Sequence, residues 1–241
     1  ARALENGSGS GCGCGHDRRM RPSPLPSQLP VAFTVSDALA HGVARKRLRA
    51  KDLSSPFHGT RARGALVDAE RVRLLFDAVP SHAFICGTTA AALWRLPLPS
   101  VIEAGAWALP CIGVPQRETR VRRAGVVGHR LAIDDGDIRF VNGVAVLSPA
   151  RTWIDVSRAL TPSWLLALTD ALISRRRPLV SIAELTDMHE RFRGGRGSRA
   201  RERSLELADE RAESPRESML RLILIDAGLP APECNVEIWN G

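Results

Sequence analysis

The sequence predicts an α+β fold, and three observations carry that reading. A basic stretch near the front has the order helix, glycine turn, second helix, short strands. Helix caps recur through the rest of the chain, at Ser148-Pro149, Thr161-Pro162 and Ser214-Pro215. Between the first helices and those caps, residues 107–147 switch to short strand-like runs punctuated by turn signals. Together they predict an N-terminal winged helix-turn-helix followed by a middle α/β module.

The first residues, 1–30, are set apart. Residues 1–19 are Gly/Ser-rich and aperiodic, Met20 offers a natural start, and Pro22, Pro24, Pro26 and Pro30 keep the next stretch extended. This segment is expected to be a disordered extension. In Phe33–Arg63, Thr34 or Ser36 caps a short helix carrying Ala38 and Leu39, which Gly42 stops. A second short helix places Arg45, Lys46, Arg47 and Arg49 around Leu48. The run Phe57-His58-Gly59-Thr60 with Arg61 then suits a tight turn and a wing, so residues 31–64 form the expected helix-turn-helix unit.

Residues 65–192 are assigned to the middle module. Val67, Leu74, Leu75 and Val79 recur at helical spacing, and a further helix runs from about Thr88 to Leu96 before Pro97 and Pro99. Strands are expected at Trp107–Leu109, Arg120–Val127 and Val144–Leu147, with turns at Asp134-Asp135-Gly136 and Asn142-Gly143. Helices follow from Pro149 and Pro162, and another spans Ile182–Phe192. The loop Arg193–Arg199 lacks the spacing of a phosphate cradle and reads as a flexible linker within a linker and helix over 193–211. A last helix begins at the Ser214 cap with Pro215 at its first position and closes at Gly228. Leu220, Leu222, Ile223, Leu224 and Ile225 make it apolar on most sides, so burial is expected. A strand-like run then reaches Asn240-Gly241, a hairpin signal without a second strand, and residues 212–241 read as a domain cut short.

Composition narrows the function. With 44% hydrophobic and 25% charged residues and no apolar run near membrane-spanning length, a soluble cytoplasmic protein is expected. The net charge is +8, and its distribution is uneven. Residues 31–80 hold nine Lys/Arg against five Asp/Glu, whereas residues 212–241 hold two against five. A basic front points to a polyanion partner, because neutralising phosphates releases condensed counterions. Arginine supplies all the basic residues except Lys46 and Lys51, so genome composition competes with selection for binding. On this reading Arg45, Lys46, Arg47, Arg49, Lys51 and Arg61 contact DNA.

Other chemistry finds no pattern. The five cysteines form no CxxC pair, and His58, His82 and His129 lack metal-ligand spacing. Asp134, Asp135 and Asp137 read as a solvated acidic turn, since no EF-hand continuation follows.

The segments VSDALAHGVARKRLRAKDLSSPFHGTR, GTTAAALWRLPLP, GVVGHR and VLSPARTWIDVS resemble a group of actinobacterial proteins. Their front half resembles the AbiEi-type antitoxin winged-helix domain of type IV toxin–antitoxin systems, and their back half is similar to Vsr-like PD-(D/E)xK endonucleases. Residues 213–241 look like the opening helix and first strand of such a nuclease. The resemblance implies a toxin protein as partner and, in a longer protein, a Mg²⁺-dependent endonuclease whose metal-binding Asp and Glu-x-Lys lie beyond Gly241. Of that site only Glu217 matches, as a first-helix acidic residue, and it also fits a capping box. No cofactor is expected of this chain itself. A module that binds a protein partner instead of DNA is the competing reading.

Overall fold

The computed structural model describes residues 22–236. The architecture is α+β: a two-stranded unit at the front, a five-stranded mixed sheet, and a layer of helices built mostly from the second half of the chain together with α3 (Gly87–Leu93). Among the described residues no helix is long and apolar enough to cross a membrane.

The front unit comprises β1 (Ala32–Thr34), α1 (Val35–Ala40), a 3-10 turn (Arg47–Arg49) and β2 (Thr60–Ala62). β1 and β2 pair antiparallel, with Phe33 opposite Arg61. Leu29, Phe33, Ala38, Val43 and Leu48 form its core, with Leu25, Leu39 and Leu53 packed around them. The expected N-terminal extension lies outside the described residues up to position 21. Beyond it the expectation of disorder is corrected, because Leu25 and Leu29 contribute to this core.

The sheet has the order β5 (Val127–Leu131), β4 (Cys111–Pro115), β3 (Phe84–Ile85), β7 (Val144–Leu147), β6 (Ile138–Val141). β3 runs parallel to β7 and antiparallel to β4, and Ile85 pairs with Val146. One face carries Ile85, Ile112, Val114, Val144 and Val146, packed with Val72 and Leu75 of α2 (Asp68–Phe76) and with Phe57 from the front unit. Asn142 and Gly143 both adopt positive φ, which closes the β6–β7 hairpin with the twist that adjacent strands need.

Two strand assignments are corrected. Trp107 lies in α4 (Ser100–Ala108), where Ile102 and Ala106 repeat at helical spacing until Pro110 follows. The strand expected over Arg120–Val127 begins only at Val127. Gly125 at φ +75° breaks the run, and the backbone carbonyl of Val121 lies where a side chain on Gly128 would project, at 2.1 Å from an ideal Cβ.

The helical layer consists of α3 (Gly87–Leu93), α5 (Pro149–Val156), α6 (Pro162–Ile173), α7 (Ile182–Arg191), α8 (Ser198–Glu206) and α9 (Pro215–Asp226). The expected caps form. Ser148, Thr161 and Ser214 each accept a hydrogen bond from the backbone N–H three residues on. Trp153 is fully buried among Leu165, Leu168, Leu172 and Leu185, and its indole donates to Thr169 Oγ1 at 2.9 Å. Trp94 ties this layer to the sheet by donating to the Leu147 carbonyl at 2.8 Å.

The loop Arg193–Arg199 is not a flexible linker. It wraps Arg201, which is 1% exposed and donates to the carbonyls of Phe192 and Arg196 and to Ser157 Oγ, each at 3.0 Å. Nor is α9 buried on most sides. Ser218, Arg221 and Leu222 face inward, while Leu220 and Ile223 are 56% and 63% exposed. The Arg221 guanidinium donates to Asp170 of α6 at 2.7 Å, so a buried ion pair, not the apolar run, sets the rotation of the helix.

Candidate nucleic-acid interface

Thr34 fixes the start of the site. Its hydroxyl accepts from the Asp37 N–H at 3.0 Å and donates to Asp37 Oδ2 at 2.7 Å. Gly42 at φ +77° ends α1, with its N–H on the Leu39 carbonyl and that of Val43 on the Ala38 carbonyl.

The basic helix expected next is a single 3-10 turn. Arg47, Arg49 and Ala50 each donate their N–H to the carbonyl three residues back. The reason lies in the spacing of the apolar residues. Val43, Leu48 and Leu53 all reach the small core, but five residues of α-helix would turn successive members about 140° apart. Consecutive tight turns bring them to one side.

Around Leu48, the side chains of Arg45, Lys46, Arg49 and Lys51 stand exposed, and none forms an ion pair within the described residues. Lys46 and Arg49 are three apart on the 3-10 turn and so share a face. The other two expected contacts are committed elsewhere. Arg47 makes a two-pronged pair with Asp52 at 2.9 and 2.6 Å and donates to the Ser23 carbonyl. That guanidinium holds the Asp52 carboxyl below its usual range. Arg61 donates to the carbonyls of Leu48 and Thr60, both at 2.6 Å, and to Ser55 Oγ. Arg47 and Arg61 are therefore scaffold, and four cations remain outward.

The hairpin behind them is closed by Ser54 and Ala62, which exchange backbone hydrogen bonds at 3.0 and 3.1 Å. At its tip His58 is exposed and Gly59 takes φ +76°, while Phe57 turns into the sheet core beneath the Arg71 guanidinium, 5.5 Å from the ring centroid. Arg123, which sequence reasoning missed, donates to the His58 carbonyl at 2.9 Å and to that of Ala78 at 2.7 Å. No local signal marks it, because both partners are distant in sequence.

The acidic candidates resolve differently. Glu217 caps α9, accepting from Ser214 Oγ at 2.8 Å, the Glu213 N–H at 2.9 Å and Asn235 at 3.0 Å. The Glu213 and Ser214 hydrogen bonds hold its carboxyl below the ordinary value. No group of three or more metal-ligating side chains occurs among the described residues. Asp137 is not a solvated turn residue. It is fully buried and accepts two hydrogen bonds from Arg191, at 2.8 and 2.6 Å.

No family model matches the chain. Two curated relatives, the uncharacterized protein Rv2248 of Mycobacterium tuberculosis H37Rv and its counterpart MT2308 in strain CDC 1551, are each 33% identical over 162 residues. The match covers 65% of this chain and 54% of each relative, so the chain spans about half their length. Among solved structures, the Rv2827c protein from M. tuberculosis superposes with a TM-score of 0.50. It is 17% identical, and the superposition covers 73% of this chain and 72% of that one. The likeness is one of fold.

Proposed function

We propose that the chain is a DNA-binding protein whose front unit acts as a winged helix-turn-helix. The observation that carries the reading is the division of labour among its cations. Arg47 and Arg61 brace the turn and the hairpin, leaving Arg45, Lys46, Arg49 and Lys51 exposed and without acidic partners among the described residues. Such side chains meet phosphate oxygens at little desolvation cost and position a protein on the duplex before any base is read. The AbiEi-like resemblance supplies the biological class, an antitoxin-type transcriptional regulator with a toxin protein as partner.

A salt-dependent titration with mixed-sequence duplex DNA, in the absence of metal, tests the reading. Affinity is expected to fall steeply with salt. Changing Arg45, Lys46, Arg49 and Lys51 together to alanine is expected to flatten the log–log slope by about 3.6, roughly two decades of affinity between 50 and 200 mM salt. An unchanged slope overturns the proposal and favours a protein-interaction module.

A second reading draws on the resemblance of residues 213–241 to the opening of a Vsr-like PD-(D/E)xK endonuclease. A longer form of this protein would be a Mg²⁺-dependent endonuclease, its carboxylates supplied beyond residue 241 and Glu217 serving as a cap. Cleavage of duplex DNA by the longer protein with Mg²⁺, abolished by EDTA, tests that reading. Absence of cleavage counts against it.

A further inference from the structure

We propose that the edge strand β5 and the loop leading into it form a second phosphate-binding surface on the same duplex, carried by Arg120, Arg122 and Arg130. The proposal rests on the DNA-binding reading and extends its footprint from the front unit onto the sheet.

Residues 116–130 hold Arg117, Arg120, Arg122, Arg123 and Arg130 against Glu118 as their one acid. Arg123 is the exception that organises the rest. Its hydrogen bonds to His58 and Ala78 pin the loop to the tip of the β2 hairpin, and Gly125 sits 3.9 Å from Phe57, measured from an ideal Cβ. The loop cations therefore adjoin the front unit. Arg117, Arg120, Arg122 and Arg130 are exposed and have no ion-pair partner among the described residues.

Gly128 lets the loop lie flat on β5. The Val121 carbonyl rests against it, and Arg120 Cγ comes within 3.1 Å of an ideal Cβ there, so the Arg120 side chain crosses the strand at Gly128. Burial lowers the His129 pKa against the pull of Asp155, and the nearby charges of Arg158 and Arg120 reinforce the lowering. Among the described residues β5 also has one free side, since it ends the sheet. Charged side chains guard an edge against pairing with another chain. The planar forks of arginines in a loop anchored to the hairpin also match phosphate oxygens.

The test uses the full chain with three variants, at several salt concentrations, on one mixed-sequence duplex. The Arg120→Ala, Arg122→Ala, Arg130→Ala triple is expected to lower affinity at least about tenfold at low salt and flatten the slope by about 2.7. Lysine at the same three positions is expected to restore most of the slope. An unaltered slope in the alanine triple, alongside a flattened one in the Arg45, Lys46, Arg49 and Lys51 quadruple, overturns the second surface and leaves the DNA-binding reading standing. Self-association of the alanine triple with unaltered DNA affinity also overturns it and assigns the arginines to edge protection. Absence of salt-dependent binding by the unmodified chain overturns both.

Discussion

Changing Asp137 to alanine is expected to destabilise the fold by about 3–5 kcal/mol in urea unfolding, because it strands positive charge in the interior. The carboxylate is fully buried and binds the Arg191 guanidinium through both oxygens, while Arg151, with a side chain only 5% exposed, lies 3.9 Å away. The backbone carbonyl of Asp137 also receives the Ser148 N–H at 2.7 Å, at the start of α5. One residue thus joins the turn before β6 to α5 and α7. A loss below about 1 kcal/mol would show that Arg151 relaxes onto Asp155, its second partner at 2.9 Å. The same site governs behaviour in acid. Burial pushes the Asp137 carboxyl upward, but hydrogen bonds from Arg191 and the Asp134 N–H and the charges of Arg191 and Arg151 outweigh it, leaving the pKa lowered. Its contribution is therefore complete above the ordinary carboxylate range, near 3.9, and is lost as pH falls through the lower folded value. The alanine variant is expected to show a flatter decline of stability in that acid window.

Arg201 is expected to be almost as costly to remove, at about 3 kcal/mol or more. It is a buried cation without a carboxylate partner among the described residues, a situation that ordinarily carries a large desolvation penalty. Three groups offset it: the carbonyls of Phe192 and Arg196 and the hydroxyl of Ser157. Phe192 closes the C-terminus of α7 and Ser157 that of α5, so the guanidinium lies at the negative ends of two helix dipoles. It also lies 6.0 Å from the Trp153 ring centroid. Burial still pulls its pKa below the ordinary arginine range. Lysine is not expected to rescue the alanine variant, since one ammonium cannot bridge groups arranged around a planar fork. Recovery of full stability in the lysine variant would assign the site to charge alone.

These two sites mark where the sequence stops being legible. Ser148-Pro149, Thr161-Pro162 and Ser214-Pro215 announce their helices because a cap needs only a hydroxyl and an N–H three residues away. Asn142-Gly143 does the same for its hairpin. β4 was invisible because it contains Gly113 and Pro115, and Gly113 is accounted for only by the Phe84 ring lying against it from the neighbouring strand. The five-residue spacing of Val43, Leu48 and Leu53 was open to reading and speaks against an α-helix. Of the six expected DNA contacts, the exposure of four follows from their place around Leu48. The commitment of Arg47 and Arg61 depends on carbonyls and a carboxylate that only the folded chain brings near.

The pairing at the centre of the sheet has a consequence for biosynthesis. Ile85 of β3 meets Val146 of β7, a separation of 146 − 85 = 61 residues. At translation rates of about 5–20 residues per second, β3 leaves the ribosome roughly 3–12 s before its parallel neighbour exists. In that interval α3, α4 and the β3–β4 pairing can form from nearby residues, but one side of β3 stays open. Some helices wait nearly as long, since α5 packs on α3 and Arg221 of α9 reaches Asp170 of α6 across 51 residues. The strand most central to the finished sheet is therefore the one exposed longest to wrong partners while the chain is being made.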